Sequence, residues 1–251
     1  MTLSSVTRRV LCKASFLAIA FAGLTHSAIA QEAPRVKFVT NAGEFVVEVY
    51  PDKAPKTVEN FLQYVRDKHY DGTIFHRVID GFMIQGGDPL SKNAAAGAML
   101  GMGGGEMQRI PAEFNRNLIH KKGALAAARD GNPEKASSAC QFYIVQGSPI
   151  SADQLKMMGQ QRGFDYTSAQ EEVYEKLGGT PFLDMEYTVF GEVVSGLDVL
   201  DKIAAVQKDQ SDRPLKDVRM KMEMIIHTRF LTLITLVPFG LELLYLILIG
   251  Y

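Results

Sequence analysis

The chain has 251 residues, with 27 lysines and arginines against 28 aspartates and glutamates, and its formal net charge is −1. Hydrophobic residues make up 47% of it, which excludes a disordered chain, and the balanced charge excludes a nucleic-acid binder that depends on bulk positive charge. Two cysteines are too few for a disulfide scaffold or a four-cysteine zinc site. We therefore expect a globular domain whose stability comes from its hydrophobic core.

Residues 1–30 have the pattern of a secretory signal peptide. Three basic residues precede an apolar run over residues 14–24, which is too short to cross a bilayer core of about 30 Å. Ala28 and Ala30 then form a small-residue cleavage site, so the mature chain would begin at Gln31. The pattern predicts export, and a short membrane anchor is the alternative that the length of the run disfavours.

Residues 227–251 form an apolar C-terminal tail, and the stretch 230–251 is long enough to cross a membrane. Pro238 interrupts the helical pattern, and Glu242 would place a charge near the centre of the bilayer. Two alternatives stay open: a membrane anchor, which would be a membrane contact of this protein, and a non-native extension. Between the two ends, we predict one folded domain over residues 31–226.

Short strands dominate the predicted domain. Apolar and polar residues alternate on both sides of a turn at residues 41–43, which predicts a β-hairpin, and a helix with apolar residues three and four apart begins at Pro55. A second helix is predicted to begin after Ser195 as its N-cap. Further strands are predicted over residues 74–78, 83–85, 123–128, 142–146, 187–194 and 218–224. Many short strands with few helices favour a barrel or a sandwich.

Two capping-box patterns mark an insertion between strands. Ser151 is followed by Gln154, and Thr167 by Gln170, at the spacing with which each pair satisfies the first turn of a helix. We therefore predict a helical insertion over residues 151–178, on the surface, where it could contact a partner.

The domain shows no pattern typical of a nucleophile, a metal site or a phosphate-binding loop. Cys140 has no histidine near it in the sequence and is predicted to be a lone buried thiol. The glycine-rich segment 90–108 lacks the Gly-Lys-Ser/Thr ending of a phosphate loop, and the histidines are not spaced as metal ligands. This restricts the candidate reactions to those that need none of these groups.

One segment is distinctive: residues 75–88 read FHRVIDGFMIQGGD. In extended geometry Arg77, Ile79, Met83 and Gln85 could share a face only if Gly81 bends the chain. The bend would place a guanidinium beside an aromatic and thioether surface. An ordinary strand pair with a solvated arginine is the alternative interpretation.

This segment closely resembles the central signature of the cyclophilin peptidyl-prolyl isomerases. The resemblance continues through SSACQFYIVQG at 137–147 and FLDMEYTVFGEVVSGLDVLDKI at 182–203, and it covers nearly all of residues 35–226. It implies an all-β fold, a closed eight-stranded antiparallel β-barrel capped by two α-helices. The helical insertion near 151–178 is an unusual addition to that fold.

The resemblance also implies the roles of individual residues. The catalytic residues that it implies are Arg77, which would assist the prolyl nitrogen, Gln85 and Phe82. The substrate-binding residues that it implies are Met83, Tyr143, Leu183, Gln141, Ala128, Phe182, Tyr187 and His76. Tyr143 stands where the best-known members have a phenylalanine, which predicts a changed preference for the residue before proline.

The implied activity is peptidyl-prolyl cis-trans isomerisation, or rotamase activity, during the folding of exported proteins. Rotation about an X-Pro bond faces a barrier of about 18–20 kcal/mol but breaks no bond, so we expect no cofactor and no metal. We predict a periplasmic monomer that acts on proline-containing polypeptides and binds no nucleic acid. The alternative is a non-catalytic chaperone or scaffold that grips proline-containing segments: the set Arg77, Phe82, Met83 and Gln85 favours catalysis, and the insertion keeps the binding role open.

Overall fold

The computed structural model describes residues 32–225; the predicted signal peptide (1–30) and apolar tail (227–251) lie outside the described residues. The described residues form eight strands: β1 (Arg35–Thr40), β2 (Gly43–Val49), β3 (Arg77–Ile79), β4 (Met83–Gly86), β5 (Ala124–Ala127), β6 (Phe142–Val145), β7 (Val189–Ser195) and β8 (Met220–Ile225). The α-helices in this part of the chain are α1 (Pro55–Arg66), α2 (Ala152–Arg162), α3 (Ser168–Lys176) and α4 (Leu197–Ala204). Within residues 32–225, none of the helices has the length and apolar character that crossing a bilayer requires.

All eight strands belong to one curved antiparallel sheet, in the order β3-β4-β6-β5-β7-β2-β1-β8. The register shifts between Val46 and Val47 where β2 pairs with β7, and between Leu125 and Ala126 where β5 pairs with β7. Such irregularities bend a strand and increase its twist, which favours a curled sheet. The predicted eight-stranded antiparallel all-β architecture is confirmed.

The two ends of the sheet are β3 and β8. The backbone N–H of Phe75 donates to the carbonyl of Val218 at 3.0 Å, and Ile74 forms an isolated bridge with Arg219. These contacts link the segment before β3 to the start of β8, but β3 and β8 do not pair along their own lengths. Closure of the sheet into a continuous barrel stays a prediction.

The main hydrophobic core lies on one face of the sheet, beneath α1 and α4. The spacing predicted for α1 is confirmed, because its buried face consists of Thr57, Val58, Phe61, Leu62 and Val65, and Pro55 opens the helix. Phe142 of β6 lies among the aromatic rings of this core, edge-to-face against Phe38, Phe61, Tyr70 and Phe75. Such contacts between aromatic rings add to the stabilisation that burial supplies.

Several predicted boundaries differ from the structure, and two of these differences have a clear physical reason. Ser195 is the last residue of β7, where it pairs with Val46, and Gly196 precedes α4 with a φ of 86°, a conformation that glycine adopts without steric cost. The strand predicted from Ile74 begins only at Arg77, because the residues before it bond to the segment that leads into β8. In both places a long-range strand contact overrides the local pattern.

The predicted helical insertion is confirmed as α2 and α3. Both capping boxes form: the Ser151 hydroxyl accepts from the Gln154 backbone N–H at 3.4 Å, and the Thr167 hydroxyl accepts from the Gln170 backbone N–H at 3.3 Å. The insertion has a small hydrophobic core of its own. Leu155 and Tyr174 are fully buried there, and they pack against Ile119. Contact of the insertion with a partner stays a prediction.

Cys140 is a buried free thiol, as predicted. Burial raises the pKa of this thiol to about 11, so only about one molecule in a thousand carries the reactive thiolate at pH 8. We expect iodoacetamide to modify Cys140 far more slowly in the folded protein than in urea. Mass spectrometry of the peptide that contains Cys140 measures the two rates. Equal rates in the two conditions would show that the thiol is exposed.

Candidate active site

A row of side chains crosses four neighbouring strands on the face of the sheet opposite the main core. Arg77 on β3 pairs with Gln85 on β4, Gln85 pairs with Tyr143 on β6, and Tyr143 pairs with Ala126 on β5. Directly opposite residues of antiparallel strands lie on the same face, so the register alone brings these groups together. The next row along the strands faces the main core; it contains Val78, Ile84, Ile144 and Leu125.

The turn between β3 and β4 contains the bend that the sequence requires. Gly81 has a φ of 73°, a region that a residue with a side chain enters only at a cost, and its backbone N–H donates to the Gln146 side-chain oxygen at 2.6 Å. The turn pairs Ile79 with Met83 and Arg77 with Gln85. Arg77, Ile79, Met83 and Gln85 therefore share one face, an arrangement that the sequence alone had left open.

A cleft of about 100 Å³ lies over this row. Its floor is apolar and buried, and it consists of Met83, Ala128, Tyr143 and Leu183. Arg77, Gln85, Arg129, Phe82 and Tyr187 complete the lining. Leu183 and Tyr187 come from the segment between α3 and β7, which lies against this face of the sheet. The structure therefore brings together all but three of the predicted site residues.

Gln141 lies beside the cleft rather than in it. Its side-chain NH₂ donates to the carbonyls of Gly101 and Gly103 at 2.9 Å each, and its side-chain oxygen accepts from Gln85 Nε2 at 3.1 Å. Gln141 lines a second cavity of about 180 Å³, which shares Gln85, Ala128 and Arg129 with the cleft. It thus joins the glycine-rich loop to the site.

The other two predicted residues lie outside the cleft lining. Phe182 is 48% exposed, with its ring 5.6 Å from that of Phe82. His76 is 4% exposed beneath the glycine-rich loop, close to Gly101. Their predicted contacts with substrate stay predictions.

The Arg77 guanidinium is exposed and makes no hydrogen bond or ion pair with any residue of the described range 32–225. Arginine stays charged at every relevant pH, so its five N–H donors face the cleft uncommitted. By contrast, Arg129 is committed: its guanidinium lies 4.6 Å over the Tyr187 ring and its Nε donates to the Glu186 carbonyl at 3.1 Å. Of the two arginines that line the cleft in the described range, Arg77 is therefore the one that remains free to donate to a ligand.

Reasoning from the sequence missed two residues behind the floor of the cleft. The Tyr143 hydroxyl lies 3.0 Å from His120 Nε2, and His120 Nδ1 lies 2.8 Å from a carboxylate oxygen of Asp184. His120 and Asp184 are 64 residues apart in the chain, so no local spacing reveals the pair. The one available signal was the position of Asp184 directly after Leu183. Nowhere in residues 32–225 do three histidine, cysteine or acidic side chains gather as a metal site requires.

The chain is similar to known proteins both in sequence and in structure. A protein of Staphylococcus saprophyticus named as a peptidyl-prolyl cis-trans isomerase is 37% identical over 181 residues, which are 71% of this chain and 85% of that protein. A Streptococcus pyogenes serotype M6 protein named as a bifunctional phosphatase/peptidyl-prolyl cis-trans isomerase is 40% identical over 189 residues, which are 74% of this chain. The chain spans only 37% of the length of that relative.

The crystal structure of a Cryptosporidium parvum cyclophilin-type peptidyl-prolyl cis-trans isomerase matches with a TM-score of 0.57 at 23% identity, over 77% of this chain and 98% of that one. Its structure in the presence of the dipeptide Ala-Pro matches with a TM-score of 0.55. At this identity the likeness concerns the fold. The family model for cyclophilin type peptidyl-prolyl cis-trans isomerases matches residues 35–224, almost the whole described domain. The chain therefore belongs to the cyclophilin-type peptidyl-prolyl cis-trans isomerases, a family of isomerase enzymes.

Proposed function

We propose that the protein accelerates cis-trans isomerisation of X-Pro bonds in polypeptides, with Arg77 as the catalytic donor and the apolar floor of the cleft as the site of the proline ring. One observation carries this proposal: an arginine without a hydrogen-bond partner within residues 32–225 stands directly beside a buried apolar floor. The polar donor suits the prolyl nitrogen, and the apolar floor suits the proline ring.

The chemistry requires only that a twisted amide bind more tightly than a planar one. Conjugation raises the barrier to about 18–20 kcal/mol, and uncatalysed exchange takes tens to hundreds of seconds. When the amide twists, the prolyl nitrogen loses conjugation and regains a lone pair that can accept a hydrogen bond. An N–H of Arg77 that donates to this lone pair stabilises the transition state and does little for the planar ground state.

The floor and Gln85 supply the positioning. Burial of the proline ring against Met83, Tyr143 and Leu183 holds one side of the bond while the other side turns. Gln85 donates its NH₂ to Gln141 and pairs with Arg77 across the two strands. Its side-chain oxygen is left to accept from Arg77 when the guanidinium turns onto a bound substrate. In this scheme Phe82 covers the ring from the rim of the cleft.

The direct test is exchange spectroscopy of an Ala-Pro-containing peptide with catalytic amounts of the protein. We expect exchange between the cis and trans resonances to become faster in proportion to protein concentration. A peptide whose resonances shift on binding while its exchange rate stays unchanged would instead support the non-catalytic chaperone or scaffold.

We further propose that the protein acts as a monomer in the periplasm. Its substrates there would be exported proteins whose folding rate is limited by proline isomerisation. The support is the basic and apolar pattern of residues 1–30, and the stretch 230–251 would add a membrane contact if it is an anchor. Cell fractionation should find the processed chain in the periplasmic fraction, and light scattering should give the monomer mass. Retention in membranes after carbonate extraction would show that the tail is an anchor.

A further inference from the structure

A series of buried hydrogen bonds runs from the helical insertion to the floor of the cleft. Tyr174, on α3 of the insertion, donates its hydroxyl to one carboxylate oxygen of Asp184 at 2.6 Å. The other carboxylate oxygen of Asp184 accepts from His120 Nδ1 at 2.8 Å. His120 Nε2 lies 3.0 Å from the hydroxyl of Tyr143, whose ring forms part of the floor. We call Tyr174, Asp184, His120 and Tyr143 the buried chain.

The buried chain is almost completely shielded from water. Tyr174 and His120 are 0% exposed, Asp184 is 2% exposed and Tyr143 is 4% exposed. Asp184 also accepts from the backbone N–H of His120 at 2.7 Å and from the Tyr166 hydroxyl at 2.9 Å. Four donors fill the four lone-pair positions of the carboxylate, which makes a buried charge tolerable and fixes its position.

The chemistry of the partners sets the direction of each bond. A carboxylate only accepts, so the hydrogen of this bond lies on His120 Nδ1. In the tautomer with its hydrogen on Nδ1, Nε2 accepts from the Tyr143 hydroxyl. Burial raises the pKa values of Tyr143 and Tyr174 well above the ordinary value for tyrosine, so both hydroxyls stay protonated. Asp184 and His120 therefore join the two tyrosines at the ends of the buried chain.

The bond to His120 ties the Tyr143 hydroxyl behind the floor, so the ring of Tyr143, not its hydroxyl, is what the cleft presents. That ring packs edge-to-face on Tyr187 at 5.7 Å between centroids. Arg162 of α2 adds a second link from the insertion, donating to the backbone carbonyl of Asp184 at 2.6 Å and to that of Pro181 at 2.8 Å. Both links include Asp184, which directly follows Leu183 of the floor.

We propose that the helical insertion 151–178 sets the shape of the proline pocket through the buried chain, with Asp184 and His120 as positioning residues for Tyr143. A phenylalanine at position 143 would fill the same floor but could not be held by the insertion. The proposal rests on the proposed function, since it concerns how that pocket is shaped.

A double-mutant cycle tests the coupling. Tyr174→Phe removes only one hydroxyl, at the far end of the buried chain, and should lower kcat/KM for an X-Pro peptide by about threefold to tenfold. The change should raise KM more than it lowers kcat, because the pocket holds the ring in both the ground state and the transition state. In a Tyr143→Phe background the same substitution should have no further effect, because the chain is already cut.

Tyr64→Phe is the matched control. Its hydroxyl contacts Met107 Sδ at 3.6 Å, away from the buried chain, so its removal should leave KM and kcat unchanged. An inactive wild-type protein would refute the proposed function. An active wild type in which the effects of Tyr174→Phe and Tyr143→Phe are independent would refute the buried chain alone.

A second measurement decides the matter should Tyr143→Phe fail to fold. The ¹⁵N resonances of the His120 ring should show a protonated Nδ1 and an unprotonated Nε2 in the wild type. Tyr174→Phe should shift both resonances, although it lies two members away from Nε2. A wild-type ring protonated on Nε2, or resonances that do not respond to Tyr174→Phe, would overturn the proposal.

Discussion

Replacement of Arg77 by alanine should lower kcat/KM for an X-Pro peptide by about 10²- to 10³-fold, the loss typical when one donor to a developing charge is removed. The apolar floor stays intact in this variant, so the peptide should still bind and KM should change little. Most of the loss should therefore appear in kcat. Exchange spectroscopy over a range of peptide concentrations separates the two constants.

Folding does not confound this result. Arg77 is exposed and makes no hydrogen bond or ion pair within the described range, so its replacement should change the free energy of unfolding by no more than about 0.5 kcal/mol. Arg66→Ala removes another exposed arginine, far from the cleft on α1, and should leave the rate unchanged. Arg77→Lys keeps the positive charge but loses the planar set of N–H donors, so kcat/KM of this variant should be well below that of the wild type. Equal kcat/KM for wild type and Arg77→Ala would sink the catalytic assignment.

Acidification from pH 7 to pH 5 should remove about 2 kcal/mol of stability through His76 alone. Burial lowers the pKa of His76 from 6.5 to about 4, an effect that Arg77 and Arg213 reinforce and Asp88 opposes. Between these two pKa values the unfolded chain binds a proton that the folded chain does not, so stability falls as the pH falls. The contribution is fully present above about pH 6.5 and is lost as the pH falls through about 4.

Urea unfolding at pH 7 and pH 5 measures this loss, and His76→Phe should remove most of it. Neither ring nitrogen of His76 has a hydrogen-bond partner within residues 32–225, so the aromatic replacement breaks no hydrogen bond. His69 serves as the comparison, because burial also lowers its pKa although its side chain is more accessible. We expect His69→Gln to change the pH dependence less. An unaltered pH dependence in His76→Phe would mean that the pKa of His76 is the same in the folded and unfolded chains.

Local pattern was sufficient where short-range physics decides the outcome. Alternation of apolar residues predicted the hairpin of β1 and β2, because a strand with one buried face must alternate. Spacing of three and four residues predicted α1, and the two capping boxes predicted α2 and α3, since both signals act within one or two helical turns. The boundaries predicted at Ser195 and Ile74 were wrong because local pattern does not decide them. Partners distant in the chain decide how each of these residues pairs.

The site residues also fall into those that the sequence indicated and those that only the structure revealed. By itself the sequence marked the segment around Arg77 as distinctive and left the bend at Gly81 as one of two interpretations. Resemblance to a family supplied the residues of the floor that lie in other segments. Only the tertiary structure decided that His120, Asp184 and Tyr174 meet behind Tyr143. Hydrogen bonds between residues tens of positions apart depend on strand register and on how the insertion packs, and no local periodicity carries that information.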